Sequence, residues 1–224
     1  LAHATTTLVQ REVLEVYAYT PGVGRGEKLT REEIVHVALG RAIAHGLASL
    51  STRTLADDLG VTPMALYRHV RNKDEIVDMV VDSLLDTVEA PAAPRADWRL
   101  WMEEQARSLR GLFQQHPIAV EVFARRPVTT PAALARLASA VEVLEEVGFG
   151  RDEAVRAFAA VHTYTVGFCT LEAARGPASG SQLAAASVDV DAAAIRDFVG
   201  DAQFGHGLRA LLAGLGPAGE VPPR

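Results

Sequence analysis

Between Val61 and Lys73 the chain carries Arg68, Arg71 and Lys73 and no acidic residue, with Tyr67 and His69 set among the bases. Cations interleaved with an aromatic suit a polyanion. Ammonium and guanidinium groups neutralise phosphates, and arginine can also read base edges in a major groove. The bland alternative is an ordinary solvated face, with His69 doing no more than complementing a helix C-terminus. His116 and His162 read either as satisfied core histidines or as ligand contacts. Cys169 sits among Val166, Phe168 and Leu171, so it reads as a buried, inert thiol. Enzyme signatures are missing: the chain has no HExxH, no Gly-x-Ser-x-Gly, no Walker loop and no zinc-spaced His/Cys cluster. The acidic pairs Glu103–Glu104 and Glu145–Glu146 are adjacent in sequence, so on a helix they do not face each other. No catalytic residue, cofactor or metal site is expected.

The elements that must hold the basic stretch are helices. Thr30 and Glu33 form a capping-box pattern, followed by Ile34, Ala38 and Ala42 on one face, and Gly46 ends that helix. A short second helix is expected over about Arg53–Leu59. Gly60 then supplies a left-handed turn, Thr62 an N-cap and Pro63 a first helical position, which predicts a third helix over about Pro63–Val70. Leu55, Leu59, Val61, Leu66 and Val70 are spaced to pack inward. Ala56 is small where the two helices cross, as a helix-turn-helix requires. Asn72 and Glu75 read as a further N-cap and N3 pair, opening a longer helix.

Residues 89–97 contain Pro91 and Pro94 and read as a linker. Beyond it, helical patterns run over about Asp97–Gln115, Ile118–Arg125, Pro131–Val147, Arg151–Arg175 and Asp191–Leu212. Gly176–Ala186 reads as a loop. Leu1–Gly26, broken by Pro21, Gly22 and Gly24, reads as an extension. Nothing reads as a strand.

The 224 residues carry a net charge of −6, which is unpromising for a nucleic-acid binder until it is divided. Residues 1–75 hold nine basic and nine acidic side chains, so the excess acid lies in the remainder. One cysteine excludes a disulfide framework within the chain and fits a reducing cytoplasm. No apolar run is long enough for a membrane span, so no membrane partner is expected.

The segment Leu29–Leu85, with LADDLGVTPMALYRHVRNKDEIVD at its centre, resembles the TetR family. The resemblance implies an all-α protein with an N-terminal three-helix helix-turn-helix DNA-binding domain and a larger C-terminal helical effector-binding and dimerisation domain. The expected division is an extension at 1–26, the DNA-binding domain at 27–75, the effector domain at 76–216 and a tail at 217–224. Carried over by position, Thr62, Pro63, Met64, Ala65 and Arg68 would read bases or backbone. Tyr67, His69 and Lys73 would contact phosphates, and Arg53 would reach a base or phosphate.

Further on, DWRLWMEEQARSLRGLFQQHPIAVEVFARRP, LEEVGFGRDEA and HTYTVGFCTLE resemble the effector domain of the tetracycline-repressor subgroup. The implied pocket comprises Trp101, Gln105, Leu109, Val122, Arg126, His162 and Phe168. Gln105 matches a drug-binding asparagine of that subgroup. Val122 stands where the antibiotic sensors place a magnesium-ligating histidine, and an apolar side chain cannot ligate magnesium. The implied function is a cytoplasmic, homodimeric, sequence-specific transcriptional repressor. It would bind a pseudo-palindromic double-stranded DNA operator and be released by a small-molecule effector. The alternative is a TetR-like helical ligand- or protein-binding module without operator control.

Overall fold

The computed structural model describes residues 29–125, 127, 129–175 and 200–217. The extension at 1–26, Arg126, the Gly176–Ala186 loop, the 191–199 part of the expected last helix and nearly all of the tail lie outside the described residues. Every regular element among those described is a helix. Two compact units divide between Leu84 and Leu85.

In the first unit, α1 (Arg31–His45) opens on a complete capping box: the Thr30 hydroxyl accepts from the Glu33 N–H, and the Glu33 carboxylate accepts from the Thr30 N–H. Gly46, at φ 76°, closes it. A 3-10 turn over Leu47–Ser49 leads to α2 (Thr52–Leu59). This helix starts one residue earlier than its apolar spacing suggested, because Ser51 caps it and the Thr54 hydroxyl does the reciprocal work of the usual glutamate.

Regular helix in α3 covers only Pro63–Leu66, shorter than the expected Pro63–Val70. The chain keeps winding beyond it. Arg68 and His69 donate to carbonyls three residues back, and Val70 donates to Leu66 at 3.1 Å, so the last turn tightens as helix ends commonly do. α4 (Lys73–Asp86) follows. Asn72 caps it, its side-chain oxygen accepting the Glu75 N–H at 2.9 Å. The expected reciprocal bond does not form, because Glu75 turns its carboxylate to the Arg71 N–H at 2.7 Å and to the Arg71 guanidinium.

The second unit contains α5 (Trp98–Gln115), α6 (Pro117–Arg125), α7 (Pro131–Glu146), α8 (Arg151–Arg175) and α9 (Asp201–Ala213). α8 is its axis, packing against each of the other four. Trp98 meets Phe149 edge to face at 5.0 Å, and Trp98, Met102, Leu144, Phe204 and Leu208 belong to one buried core. One charge is built into this packing. Arg110 is 5 % exposed. It pairs with Glu172 at 2.8 Å and Asp201 at 2.6 Å while lying over the Phe204 ring. A buried guanidinium so paired ties α5, α8 and α9 together. Cys169 is buried and its thiol is pushed up to about 12, chiefly by burial. It therefore stays protonated and inert at neutral pH.

Candidate DNA-reading helix and ligand cavity

Gly60 takes the left-handed conformation, φ 66° and ψ 27°. The Val61 N–H reaches back to the Ala56 carbonyl at 3.0 Å. Ala56 is fully buried, so α2 and α3 approach closely at a residue with almost no side chain. Thr62 caps α3 through the Ala65 N–H, with Pro63 in the first turn. Leu66 and Val70 anchor the inner side of α3 and its last turn. What remains outward is the expected set: Thr62, Pro63, Met64, Tyr67 and Arg68 are exposed, and Ala65 and His69 are partly so. Met64 is 70 % and Tyr67 50 % exposed.

Two contacts set the edges of this surface. The Tyr67 hydroxyl and the Thr52 hydroxyl lie 3.1 Å apart, tying the end of α3 to the start of α2, where Arg53 is exposed. The Lys73 ammonium donates to the Ala48 carbonyl at 3.4 Å. Of the two aspartates on α2, Asp58 is held by Arg41 at 2.6 Å, which offsets its charge. The result is a short convex helix with a phenol, a guanidinium and a thioether facing out, a shape and charge that fit a major groove.

The second unit holds a partly open cavity of about 280 Å³. α5 lines it with Gln105 and Leu109, α7 with Leu134 and Arg136, and α8 with Phe158 and His162. Leu85, Phe123 and Pro127 complete much of the wall. His162 stacks on Phe158 with ring centroids 5.6 Å apart and an interplanar angle of 15°, and it tilts against Phe123 at 5.7 Å. Burial and the nearby Arg136 charge both push the His162 pKa down, so the ring is neutral at pH 7. Arg136 donates to the Gln105 side-chain oxygen.

Of the residues expected in a pocket, Gln105, Leu109 and His162 line this cavity. Trp101, Val122 and Phe168 are buried and are not among its lining residues, Trp101 and Phe168 belonging to the core instead. Phe123, Phe158, Arg136 and Thr165 were not foreseen. Arg136 had a signal in sequence: it is the sole charge in the first eleven residues of α7, PAALARLASAV. Among the described residues no group of three His, Cys, Asp or Glu side chains is placed to hold a metal ion. A guanidinium in the wall also repels a cation.

A model of the tetracyclin repressor-like C-terminal domain matches residues 90–217, and one of the bacterial regulatory proteins of the tetR family matches 34–80. The chain belongs to the TetR family. It is therefore a transcription regulator with a helix-turn-helix head and a helical C-terminal domain. An HTH-type transcriptional regulator of Saccharopolyspora erythraea is 32% identical over 84% of this chain and 84% of its own length. The class A tetracycline repressor from transposon 1721, in Escherichia coli, is 31% identical over 84% of this chain and 91% of its own. Among solved structures, TetR-family ActR of Streptomyces coelicolor in complex with actinorhodin superposes with a TM-score of 0.72. It is 28% identical, covering 84% of this chain and 97% of that one. With the TetR assignment, α3 falls within the first matched part and, Leu85 apart, the cavity lining falls within the second.

Proposed function

We propose that this TetR-family chain is a homodimeric repressor that reads a pseudo-palindromic operator through α3 and releases it when a small molecule fills the cavity between α5, α7 and α8. The observation that carries the reading is the α3 surface: Met64, Tyr67 and Arg68 stand exposed on a helix whose other side is anchored by the buried Leu66 and Val70. That ActR has been solved with actinorhodin, and a related chain is named the transcriptional repressor DrrR1, supports a ligand-responsive repressor.

The dimer reading rests on α8. Val155, Ala159, Thr163, Gly167 and Leu171 are all exposed at four-residue intervals. An i, i+4 ridge of small and apolar residues packs well into the same ridge of a second copy. Release needs the ligand to favour one state strongly. Moving a balance from 1:99 to 99:1 takes about 10⁴-fold preference, roughly 5.5 kcal/mol. Leu85 lines the cavity and lies near the end of α4, the helix that follows α3 in the chain, so a shift of Leu85 can be passed along that helix.

The test is footprinting on the DNA upstream of the chain's own gene. A protected pseudo-palindrome is expected, with half-sites about 34 Å apart, one helical turn. Release by small molecules is then followed by fluorescence anisotropy with and without EDTA, and the same response is expected in both. Absence of any protected palindrome refutes the operator reading.

A further inference from the structure

Arg136 is a partly buried cation in a cavity wall that contains no carboxylate. The only other ionisable group among the lining residues is His162, which burial keeps neutral. Among the described residues Arg136 makes no ion pair. It donates instead to the neutral side-chain oxygen of Gln105. The buried Arg110 is paired very differently, with both Glu172 and Asp201. A guanidinium keeps its charge at neutral pH even where burial works against it. Left without a counter-charge it costs folding free energy. It carries five N–H donors, one of which Gln105 takes.

The rest of the wall matches an acid with a flat body. The Gln105 oxygen is engaged by Arg136, which leaves its amide N–H groups as donors. Phe158 and His162 lie nearly parallel at 5.6 Å, and Phe123 closes on His162 from another side. These π-faces favour a planar ring system. We infer that the cavity takes a planar aromatic acid, with Arg136 and Gln105 holding its carboxylate or acidic enol and Phe123, Phe158 and His162 packing on its rings. The inference rests on the ligand-responsive reading above and names the chemical class of that ligand.

The test uses full-length protein and a panel of 2-naphthoate, 1-hydroxy-2-naphthoate and anthraquinone-2-carboxylate, each paired with its primary amide. The amide has nearly the shape of the acid without the charge. Binding is measured by calorimetry. At least one acid should bind, about tenfold or more tighter than its amide, the scale of one hydrogen bond to a charged group. Arg136→Gln should abolish that preference while Arg136→Lys restores part of it, and circular dichroism checks that both variants fold. The inference is overturned if acids and amides bind alike, if no acid binds, or if Arg136→Gln keeps the preference. Operator release is a separate measurement. Acids that bind a chain with no operator leave this inference standing and remove the repressor reading. Release by neutral compounds alone does the reverse.

Discussion

Arg68 and Lys73 are both cations near α3, but they are placed for different work. Arg68 is exposed on the α3 side, whereas Lys73 is partly buried and donates to the Ala48 carbonyl. Arg68→Ala should cost roughly 1–3 kcal/mol on the preferred site and relax specificity at one position per half-site. Lys73→Ala should weaken binding to all sequences alike and lower the salt slope by about 1; anisotropy across a salt series and a mutated-operator panel separates the two. Two histidines set the pH response of the C-terminal unit. Burial lowers the pKa of both His116 and His162. The unfolded chain therefore binds more protons below its ordinary histidine pKa, and stability falls as pH drops through and below about 6.5. Urea midpoints at pH 7.5 and 5.5 should show this loss, and His162→Phe should reduce it. At this scale the split between the outward and inward residues of α3 was legible, because the buried Leu66 and Val70 are apolar and spaced four apart, while the residues between the Thr62 cap and Arg68 that are left outward follow from that spacing. The cavity was less so. Trp101 and Phe168 are apolar and helical like true lining residues, and sequence spacing cannot tell a core wall from a cavity wall.

Two glycines show how the elements are joined, for opposite reasons. At Gly60 a Cβ would meet nothing within 4 Å, so space is not the constraint; the left-handed backbone is. Gly60→Ala should cost about 1–2 kcal/mol, and Gly60→Asn less, since asparagine tolerates that region. At Gly207, inside α9, a Cβ would lie 2.4 Å from the Tyr164 hydroxyl and 3.0 Å from its ring. Alanine there gains about 1 kcal/mol of helix propensity, yet it displaces a phenol that donates to the Phe204 carbonyl at 3.0 Å. A rigid ring has little room to give, so Gly207→Ala should be destabilising by about 1–3 kcal/mol. Denaturant unfolding of both variants checks the pair. The helices themselves were largely legible because their ends carry chemistry: Thr30, Gly46, Gly60 and Thr62 all sit where sequence places caps. The end of α3 was not, since the tightening of its last turn comes from the need to turn into α4 and leaves no residue signature. Nor was the Glu75 carboxylate's choice of Arg71 over Asn72, which depends on where the Arg71 backbone points.

For the whole molecule the two-part plan was readable from one unbroken family pattern at 29–85 and a looser one beyond it. The Arg110 clamp was not, because its partners Glu172 and Asp201 are far away in sequence. The proposed assembly has its own check. Val155 is 42 % and Leu171 47 % exposed. The paired variant Val155→Arg with Leu171→Arg should shift the sedimentation mass from dimer toward monomer without changing helical content. A wild-type monomer at micromolar concentration contradicts the dimer. The unmatched guanidinium of Arg136 has a consequence for how this chain can evolve. A sensor that keeps a lone cation in its wall is less stable empty than it could be, so Arg136→Met should raise the unfolding temperature of the unliganded protein. Selection for robustness alone then favours a chain that folds better, no longer responds to its signal and keeps its genes permanently silent.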